Sequence, residues 1–269
     1  YKLEPSLYSF YFLEKFISFL DLNSIDSFDC HFKINSGLNR VGFNEGQVKK
    51  AIKKIISSGK IKLLSLYSHL AASEDLNERD FTISQINLFK KTTSYIKSKL
   101  TYTPLLHMSN TSGILNYPEC EFDMVRAGIG MYGYSNMLIK ELKAVHSLKS
   151  IISQVIEARE GDSIGYNRSF ICKEDTKIGV VPLGHADGIS REFSKNGQVY
   201  IMGKKSNIIG NICMDVFMVN LEGIDAAEGD EVILFDKQNN AENFALTVGT
   251  ISYEVLTNLS SRIERKIIN

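Results

Sequence analysis

The chain has 269 residues, which is enough for one large domain or two domains of ordinary size. Its 31 basic and 31 acidic residues give a net charge of +0, so it lacks the basic excess that nucleic-acid-binding proteins usually carry. No apolar run approaches the ~20 residues that span a bilayer, and we therefore expect neither a nucleic-acid nor a membrane partner.

The first half of the chain alternates short apolar runs with longer amphipathic segments. Helical spacing of its apolar residues predicts a helix over 47–58, which ends at Gly59. Thr82 and Gln85 have capping-box spacing, which predicts the start of a second helix. Repeated strand–helix units with nearly continuous apolar strands indicate a parallel sheet covered by helices. The predicted strands are 30–34, 63–69, 105–109 and 124–132.

The pattern changes near Glu141, where strand-like runs follow one another at short spacing. Turns with glycine and aspartate separate these runs, as is typical of an all-β barrel or sandwich. Two domains are therefore predicted, over 1–140 and 141–269. The strands predicted in the second domain are 142–157, 177–182, 198–202, 207–221 and 230–235.

The four cysteines lie scattered among apolar residues, without a CxxC pair or a short Cys/His pattern. This spacing argues against a metal site and favours buried free thiols. Free thiols are typical of a reducing compartment, so a cytoplasmic location is expected.

Eight short segments carry most of the side chains that are suited to chemistry. Each alone is a weak signal, but together they run in order along nearly the whole chain and resemble the alanine racemase family. The segments are 33–42, 68–71, 107–113, 123–133, 164–166, 184–188, 213–215 and 250–254.

The resemblance implies a fold and an activity. The fold is an incomplete (β/α)8 TIM-type barrel followed by a β-barrel- or sandwich-like carboxy-terminal domain. The activity is interconversion of L- and D-alanine with pyridoxal 5'-phosphate (PLP), which supplies D-alanine for peptidoglycan, in a homodimer that shares its active sites. A whole barrel needs ~250 residues, whereas 1–140 offers four strands, so an amino-terminal part is expected upstream of Tyr1.

Racemisation removes a proton from one face of the α-carbon and returns one to the other. Tyr166 matches a base of the family, and His69 matches the histidine that hydrogen-bonds this tyrosine. Arg126 matches the arginine beside the pyridine nitrogen of PLP, where a permanent cation keeps that nitrogen unprotonated. Judged on the residues alone, a core histidine, a core tyrosine and an ion-paired surface arginine remain alternatives.

Four further residues resemble the family's phosphate cradle. Hydroxyl groups and backbone N–H groups at a glycine-containing turn are suited to binding an anion. An ordinary turn glycine and a strand-capping threonine are the alternatives. The four residues are Tyr253, Thr111, Gly128 and Ile129.

The resemblance implies that Arg40 orients the substrate carboxylate or the phenolate oxygen of the cofactor. It implies that Met214 and Asp215 of the partner subunit line the substrate carboxylate pocket, and a buried methionine beside a turn aspartate is the alternative for these two. Lys33 matches a lysine that is carbamylated in some relatives, and the alternative is a barrel lysine whose stem packs while its ammonium reaches water. His185 stands where the family usually has a tyrosine lining the channel to the active site.

The chain also departs from the family pattern. Asn35 and Asn39 replace the usual aspartate and glycine near Arg40. The family's cofactor lysine lies in an early motif without a counterpart here, since Lys2 and Lys15 precede the first matched segment in another context. The 269 residues are therefore expected to lack this lysine and to be inactive alone.

Two other functions remain open from the sequence. One is a racemase of the same fold that acts on serine or on a broader set of amino acids, because an apolar pocket discriminates poorly against one hydroxyl. The other is a non-catalytic module for dimerisation or cofactor binding.

Overall fold

The computed structural model describes residues 3–135 and 142–268. They form two compact units, of which the first holds the described residues up to Met131 together with Ser135, and the second holds Tyr132–Tyr134 with the described residues from 142 onward. The predicted boundary between residues 140 and 141 lies outside the described residues, as does Lys2. Among the described residues, no helix is both long and apolar enough to cross a membrane.

The first unit alternates strands and helices, as expected from the sequence. Its sheet is parallel, in the order β1-β2-β3-β4. Short 3-10 helices at Leu76–Glu78, Pro118–Cys120 and Ile129–Tyr132 join some of the elements. The elements are β1 (Ser6–Leu7), α1 (Phe10–Leu22), β2 (Phe28–Lys33), α2 (Glu45–Ser58), β3 (Ile61–Tyr67), α3 (Arg79–Lys97), β4 (Leu105–His107) and α4 (Thr111–Asn116).

Helix α2 begins and ends at local signals in the sequence. At its start the Asn44 N–H donates to the Gln47 side chain at 3.0 Å, and the Gln47 N–H donates to the Asn44 carbonyl oxygen at 2.8 Å. Gly59 adopts φ +65° at its end, a left-handed conformation that glycine tolerates and that stops the helix as predicted.

The two faces of strand β2 differ in character. Cys30, Phe32 and Ile34 are fully buried and belong to the apolar core, together with α2 and α3 residues such as Ile52 and Phe89. The alternate positions of β2 to β4 carry polar side chains, and the parallel register sets them side by side across the sheet. The paired residues are His31 with Ser65, Lys33 with Tyr67, and Tyr67 with His107.

Two predictions in this unit are wrong. Residues 124–132 form no strand, since only Met124 bridges to His107 and a 3-10 helix covers Ile129–Tyr132. The fourth strand is instead the unpredicted β1. The capping box at Thr82 is also wrong, because α3 already begins at Arg79 and Thr82 is buried within it.

The second unit is an antiparallel sheet of seven strands in the order β5-β13-β10-β11-β12-β9-β6, with a separate hairpin of β7 and β8. Its strands are β5 (Leu148–Ile151), β6 (Gln154–Ala158), β7 (Ser163–Ile164), β8 (Phe170–Ile171), β9 (Thr176–Val181), β10 (Gln198–Ile201), β11 (Lys204–Ile209), β12 (Phe217–Asn220) and β13 (Glu231–Phe235). Its helices are α5 (Phe193–Asn196), α6 (Ala241–Leu246) and α7 (Ser252–Asn258).

Two long predicted strands each split into two. The segment 142–157 becomes β5 and β6, and 207–221 divides between β11 and β12 around a turn. Strands β5 and β6 end the sheet order on opposite sides, yet only Ile152 and Ser153 separate them. The sheet must therefore curl until its edges approach each other, which gives the barrel-like form expected for this domain.

Candidate functional site

Arg126 lies half-buried at the carboxyl end of the parallel sheet, just after the bridge between Met124 and His107. Its Nη2 donates to the carbonyl oxygens of Ser68 at 2.8 Å and Met108 at 3.0 Å, and its Nη1 donates to Nδ1 of His107. These acceptors are neutral, and no carboxylate within the described ranges forms an ion pair with this guanidinium.

His69 also faces Arg126, with its Nδ1 3.2 Å from Nη2. Burial lowers the pKa of His69 to about 4, and the positive charges of Arg126, Lys33 and Arg40 act in the same direction. The imidazole is therefore neutral at pH 7. Because Nδ1 faces a guanidinium N–H, the ring proton sits on Nε2, which remains able to donate.

His107 is the second neutral imidazole at this position. Burial lowers its pKa to about 4, and Arg126 adds to the effect. The ring stacks on Tyr67, with centroids 5.0 Å apart and planes inclined by 10°. The Arg126 guanidinium lies 5.6 Å from the centre of the Tyr67 ring, so it contacts a π face as well as hydrogen-bond acceptors.

Lys33 is the last residue of strand β2, and only 5% of it is exposed. Burial lowers its pKa to about 7, with smaller contributions from Arg126 and Arg40. A substantial neutral fraction at pH 7 follows. Arg40 is exposed in the loop after β2 and has no hydrogen bond or ion pair to another described residue. Asn39 adopts φ +55°, a left-handed conformation that asparagine tolerates almost as glycine does.

Thr111 organises the loop that follows Arg126. Its hydroxyl oxygen accepts hydrogen bonds from the backbone N–H groups of Gly128 and Gly130, both at 3.1 Å. A hydroxyl that accepts two hydrogen bonds still has its own O–H to donate. A Cβ at Gly130 would lie 2.8 Å from the Thr111 methyl group, so this close approach requires glycine. Ile129, between the two glycines, is buried.

Tyr166 belongs to the second unit and is 71% exposed. It begins a short 3-10 turn in which Asn167 and Arg168 both have positive φ. Its carbonyl oxygen accepts a hydrogen bond from Asn211 Nδ2 at 3.0 Å. The side chain lines an open cleft of about 730 Å³ whose walls include apolar residues such as Met218. Tyr166 is therefore not a core aromatic residue within this unit.

The segments that contain His185 and Met214 lie side by side in the second unit. The N–H of His185 donates to Cys213 O at 3.0 Å, and the N–H of Ala186 donates to Met214 O at 2.9 Å. Met214 is 61% exposed, so the alternative of a buried methionine is wrong, and Asp215 beside it is exposed too. These three predicted residues thus share one surface.

Tyr253 is the second residue of helix α7 in the second unit and is 38% exposed. Thr111, Gly128 and Ile129, with which it was grouped in the sequence, lie in the first unit. Its membership of one cradle with them stays a prediction.

Several residues around Arg126 were given no role from the sequence. The pattern that could have identified His31, Ser65, Tyr67 and His107 is the alternation of polar side chains within otherwise apolar strands. A strand that packs apolar side chains on one face and polar ones on the other lines a polar interior or a site.

Comparisons with known proteins identify the family of the chain. Residues 1–136 match the family model described as the alanine racemase N-terminal domain, and residues 145–267 match the C-terminal domain. An alanine racemase of Thermodesulfovibrio yellowstonii is 35% identical over 243 residues, which cover 88% of this chain and 64% of that protein. The chain therefore spans less than two thirds of that relative's length.

Solved structures match over nearly the whole chain. The alanine racemase of Streptomyces coelicolor superposes with a TM-score of 0.89 and 27% identity, covering 97% of this chain and 72% of that one. An alanine racemase of Bartonella henselae, described with covalently bound pyridoxal phosphate, gives a TM-score of 0.86 and 27% identity over 99% of this chain and 74% of the other. Because family models match both halves of the sequence, the chain belongs to the alanine racemase family.

Proposed function

We propose that the protein carrying this chain interconverts L- and D-alanine with PLP and supplies D-alanine for peptidoglycan. The observation that carries this proposal is the setting of Arg126, a half-buried guanidinium whose hydrogen-bond acceptors among the described residues are neutral imidazoles and carbonyl groups. Such a cation suits a ligand that is anionic overall and presents a ring nitrogen. Membership of the family supplies the reaction class.

The residues present fit PLP. Arg40 and Arg126, with the protonated fraction of Lys33, make the site cationic, and no ion pair within the described residues offsets these charges. An uncompensated cluster of this kind favours an anionic group such as a phosphate or a phenolate. The N–H groups of Gly128 and Gly130 donate to the Thr111 hydroxyl oxygen, so the Thr111 O–H is left to donate at this turn, as an anionic phosphate would require.

When bound, PLP draws electron density from the α-carbon of the amino acid, which makes its proton removable. The roles of the chain's own residues follow from their chemistry. Arg126 donates toward the pyridine nitrogen and keeps it from being protonated, because two adjacent cations repel. The Thr111 hydroxyl and the turn at Gly128 and Ile129 are proposed to hold the phosphate, and Tyr253 is proposed as a further phosphate ligand.

Tyr166 is proposed to move the proton on one face of the α-carbon. An ordinary tyrosine has a pKa near 10, so it needs a hydrogen-bonding partner and nearby positive charge to serve at neutral pH. The Nε2–H of His69 can donate such a bond, and Arg126 supplies the charge behind it. In this proposal Tyr166 of one subunit accepts this hydrogen bond from His69 of the partner subunit.

A homodimer is therefore part of the proposal. Its support is that Tyr166 and Met214, two large side chains, are 71% and 61% exposed in the second unit. Light scattering on the full-length protein tests it, and a monomer at high concentration would contradict it. The cytoplasm is the proposed location, in keeping with four free thiols.

The substrate side of the site is proposed from the remaining residues. The exposed Arg40 is proposed to meet the substrate carboxylate, and Met214 and Asp215 of the partner subunit are proposed to complete the pocket. His185, next to Met214, lines the channel to that pocket. Alanine is the proposed substrate, and turnover of serine at a comparable kcat/KM would point to a broader racemase.

The activity is proposed for the whole protein, and the 269 residues alone are expected to be inactive, because they contain no lysine in the family's cofactor-lysine context. The test compares the full-length protein with this chain, each supplied with PLP, for conversion of L- to D-alanine. If the full-length protein converts L- to D-alanine and the 269-residue chain does not, both the activity and the expected inactivity of the chain are supported. An inactive full-length protein that still dimerises would favour a non-catalytic module.

The role of Tyr166 is tested by Tyr166→Phe in the full-length protein. The change keeps the ring and removes the titrating hydroxyl, and general-base work predicts a loss of about 100-fold or more in kcat. Tyr200→Phe, on strand β10, is the matched control and should leave kcat unchanged. A loss of less than about 10-fold for Tyr166→Phe would contradict the assignment.

A further inference from the structure

A chain of hydrogen bonds continues from Arg126 across the sheet to Glu4, just before the first strand. Arg126 Nη1 contacts His107 Nδ1, and His107 Nε2 lies 2.9 Å from Ser65 Oγ. Ser65 Oγ lies 2.7 Å from His31 Nδ1, and His31 Nε2 lies 2.9 Å from a carboxylate oxygen of Glu4. Three side chains on adjacent strands, His107, Ser65 and His31, thus link the guanidinium to a carboxylate.

The donors and acceptors in this chain can be assigned in sequence. Arg126 can only donate, so His107 Nδ1 must accept, and a neutral imidazole then carries its proton on Nε2 and donates to Ser65. Ser65 has one hydroxyl proton, which is left to donate to His31 Nδ1. The proton on His31 Nε2 then donates to Glu4, whose carboxylate only accepts.

We propose that Glu4, His31 and Ser65 are positioning residues that hold His107 as a neutral acceptor for Arg126. This inference rests on the proposed function for what Arg126 contacts, and adds the residues that orient it. His31 has the decisive part. Without an acceptor at its Nδ1, the Ser65 hydroxyl could donate to His107 instead, and the proton of His107 would move to Nδ1, facing the guanidinium N–H.

The hydrogen-bonded side chains of His107, Ser65, His31 and Glu4, called the relay below, are restrained by their surroundings. Ser65 is 1% exposed and His107 5% exposed, so a donor that loses its partner there remains unsatisfied. Tyr67 stacks on the His107 ring and restrains its plane. The Tyr67 hydroxyl is itself 2.7 Å from Ser6 Oγ on β1, so Ser6 joins Glu4 in tying the segment around β1 to the site.

The test uses the full-length protein labelled with 15N at histidine. Two-bond proton–nitrogen correlations show which ring nitrogen of His107 carries the proton, whether or not the enzyme is active. We expect a single Nε2–H form in the unsubstituted protein and in His31→Asn, which retains an acceptor where Nδ1 was. His31→Leu removes that acceptor and should populate the Nδ1–H form.

Activity and cofactor affinity are measured on the same samples. We expect His31→Leu to lose about 10-fold or more in kcat and to bind PLP more weakly, because a misplacement of ~1 Å can cost about 100-fold. His31→Asn should recover most of this loss with an unchanged KM for alanine. Thr93→Val removes a buried hydroxyl that bonds only within α3 and should change neither property.

The outcomes separate the relay from the proposed function. A proton on Nδ1 of His107 in the unsubstituted protein overturns the relay outright, even if His31→Leu does not fold. His31→Leu with unchanged tautomer and kcat overturns it as well. An unsubstituted protein without racemase activity overturns the proposed function, while the relay is still judged by the tautomer of His107 in that sample.

Discussion

The Lys33 ammonium nitrogen lies 4.5 Å from the centre of the Tyr67 ring, and the two residues pair at the carboxyl ends of adjacent parallel strands. The face of an aromatic ring stabilises a charged ammonium group less than a carboxylate would. Burial, Arg126 and Arg40 lower the pKa of Lys33 to about 7, so much of the amine is neutral at physiological pH.

We expect Lys33 to form a carbamate with dissolved carbon dioxide, because only the neutral amine reacts and the product is an anion beside two arginines. The carbamate should increase as pH rises through about 7. A carbonyl-region 13C signal from labelled bicarbonate measures it. The signal should vanish in Lys33→Arg and persist in Lys62→Arg, which alters an exposed lysine of β3. Its persistence in Lys33→Arg would contradict the prediction.

His69 should make stability depend on pH. Its pKa is about 4 in the folded protein against an ordinary 6.5, so below pH 6.5 the unfolded chain binds a proton that the folded chain does not. Stability is therefore lost as pH falls from about 6.5 toward 4. Urea unfolding measures the free energy of unfolding at pH 7 and pH 5. Its fall between these two pH values should be larger in the unsubstituted protein than in His69→Asn, by on the order of 1 kcal/mol. Equal losses in both proteins would contradict the shift.

The sequence predicts the parallel sheet and the β-rich domain because their apolar patterns are local and strongly periodic. It fails at 124–132, where the apolar run looks like a strand. There the N–H groups of Gly128 and Gly130 donate to the Thr111 hydroxyl, and a 3-10 helix follows. A contact between residues 17 apart in sequence decides this conformation, and no local pattern reveals it.

The candidate site was predictable to a similar extent. Motifs identified Arg126, His69 and Thr111, which the structure brings to one end of the sheet. The role of His107 depends on register, because it becomes a partner of Arg126 only once β4 pairs beside β3. Strand order and register arise from tertiary packing, so the sequence alone could not assign it.

The contact between Gly130 and Thr111 gives a third prediction. Gly130→Ala would place a Cβ 2.8 Å from the Thr111 methyl group, which should destabilise the turn by about 1–3 kcal/mol and weaken PLP binding. Thr111→Ser removes that methyl and keeps the hydroxyl, so the double variant should recover much of the affinity. Fluorescence titration with PLP measures all three variants.

Gly46→Ala is the control for this series. A Cβ there meets no atom within 4 Å, and in helix α2 alanine should stabilise the protein by about 0.5–1 kcal/mol. If Gly130→Ala binds PLP normally, or if Thr111→Ser brings no recovery, the turn does not contact the phosphate in the proposed way.

Asp187, in the second unit, is fully buried, yet its partner Arg262 is 62% exposed. Asp187 Oδ1 accepts from Arg262 Nε at 2.7 Å, and Oδ2 accepts from the Gly184 N–H at 3.0 Å.

Arg262→Ala would leave a buried carboxylate without its counter-ion. We expect this to lower the free energy of unfolding by about 2 kcal/mol, which is below the usual range because water can reach the vacated position. Lys195→Ala breaks an exposed pair with a 2.6 Å contact to Glu192 and should cost less than about 0.5 kcal/mol. Urea unfolding that gave equal losses for the two variants would show that burial does not set the strength of the Asp187 pair.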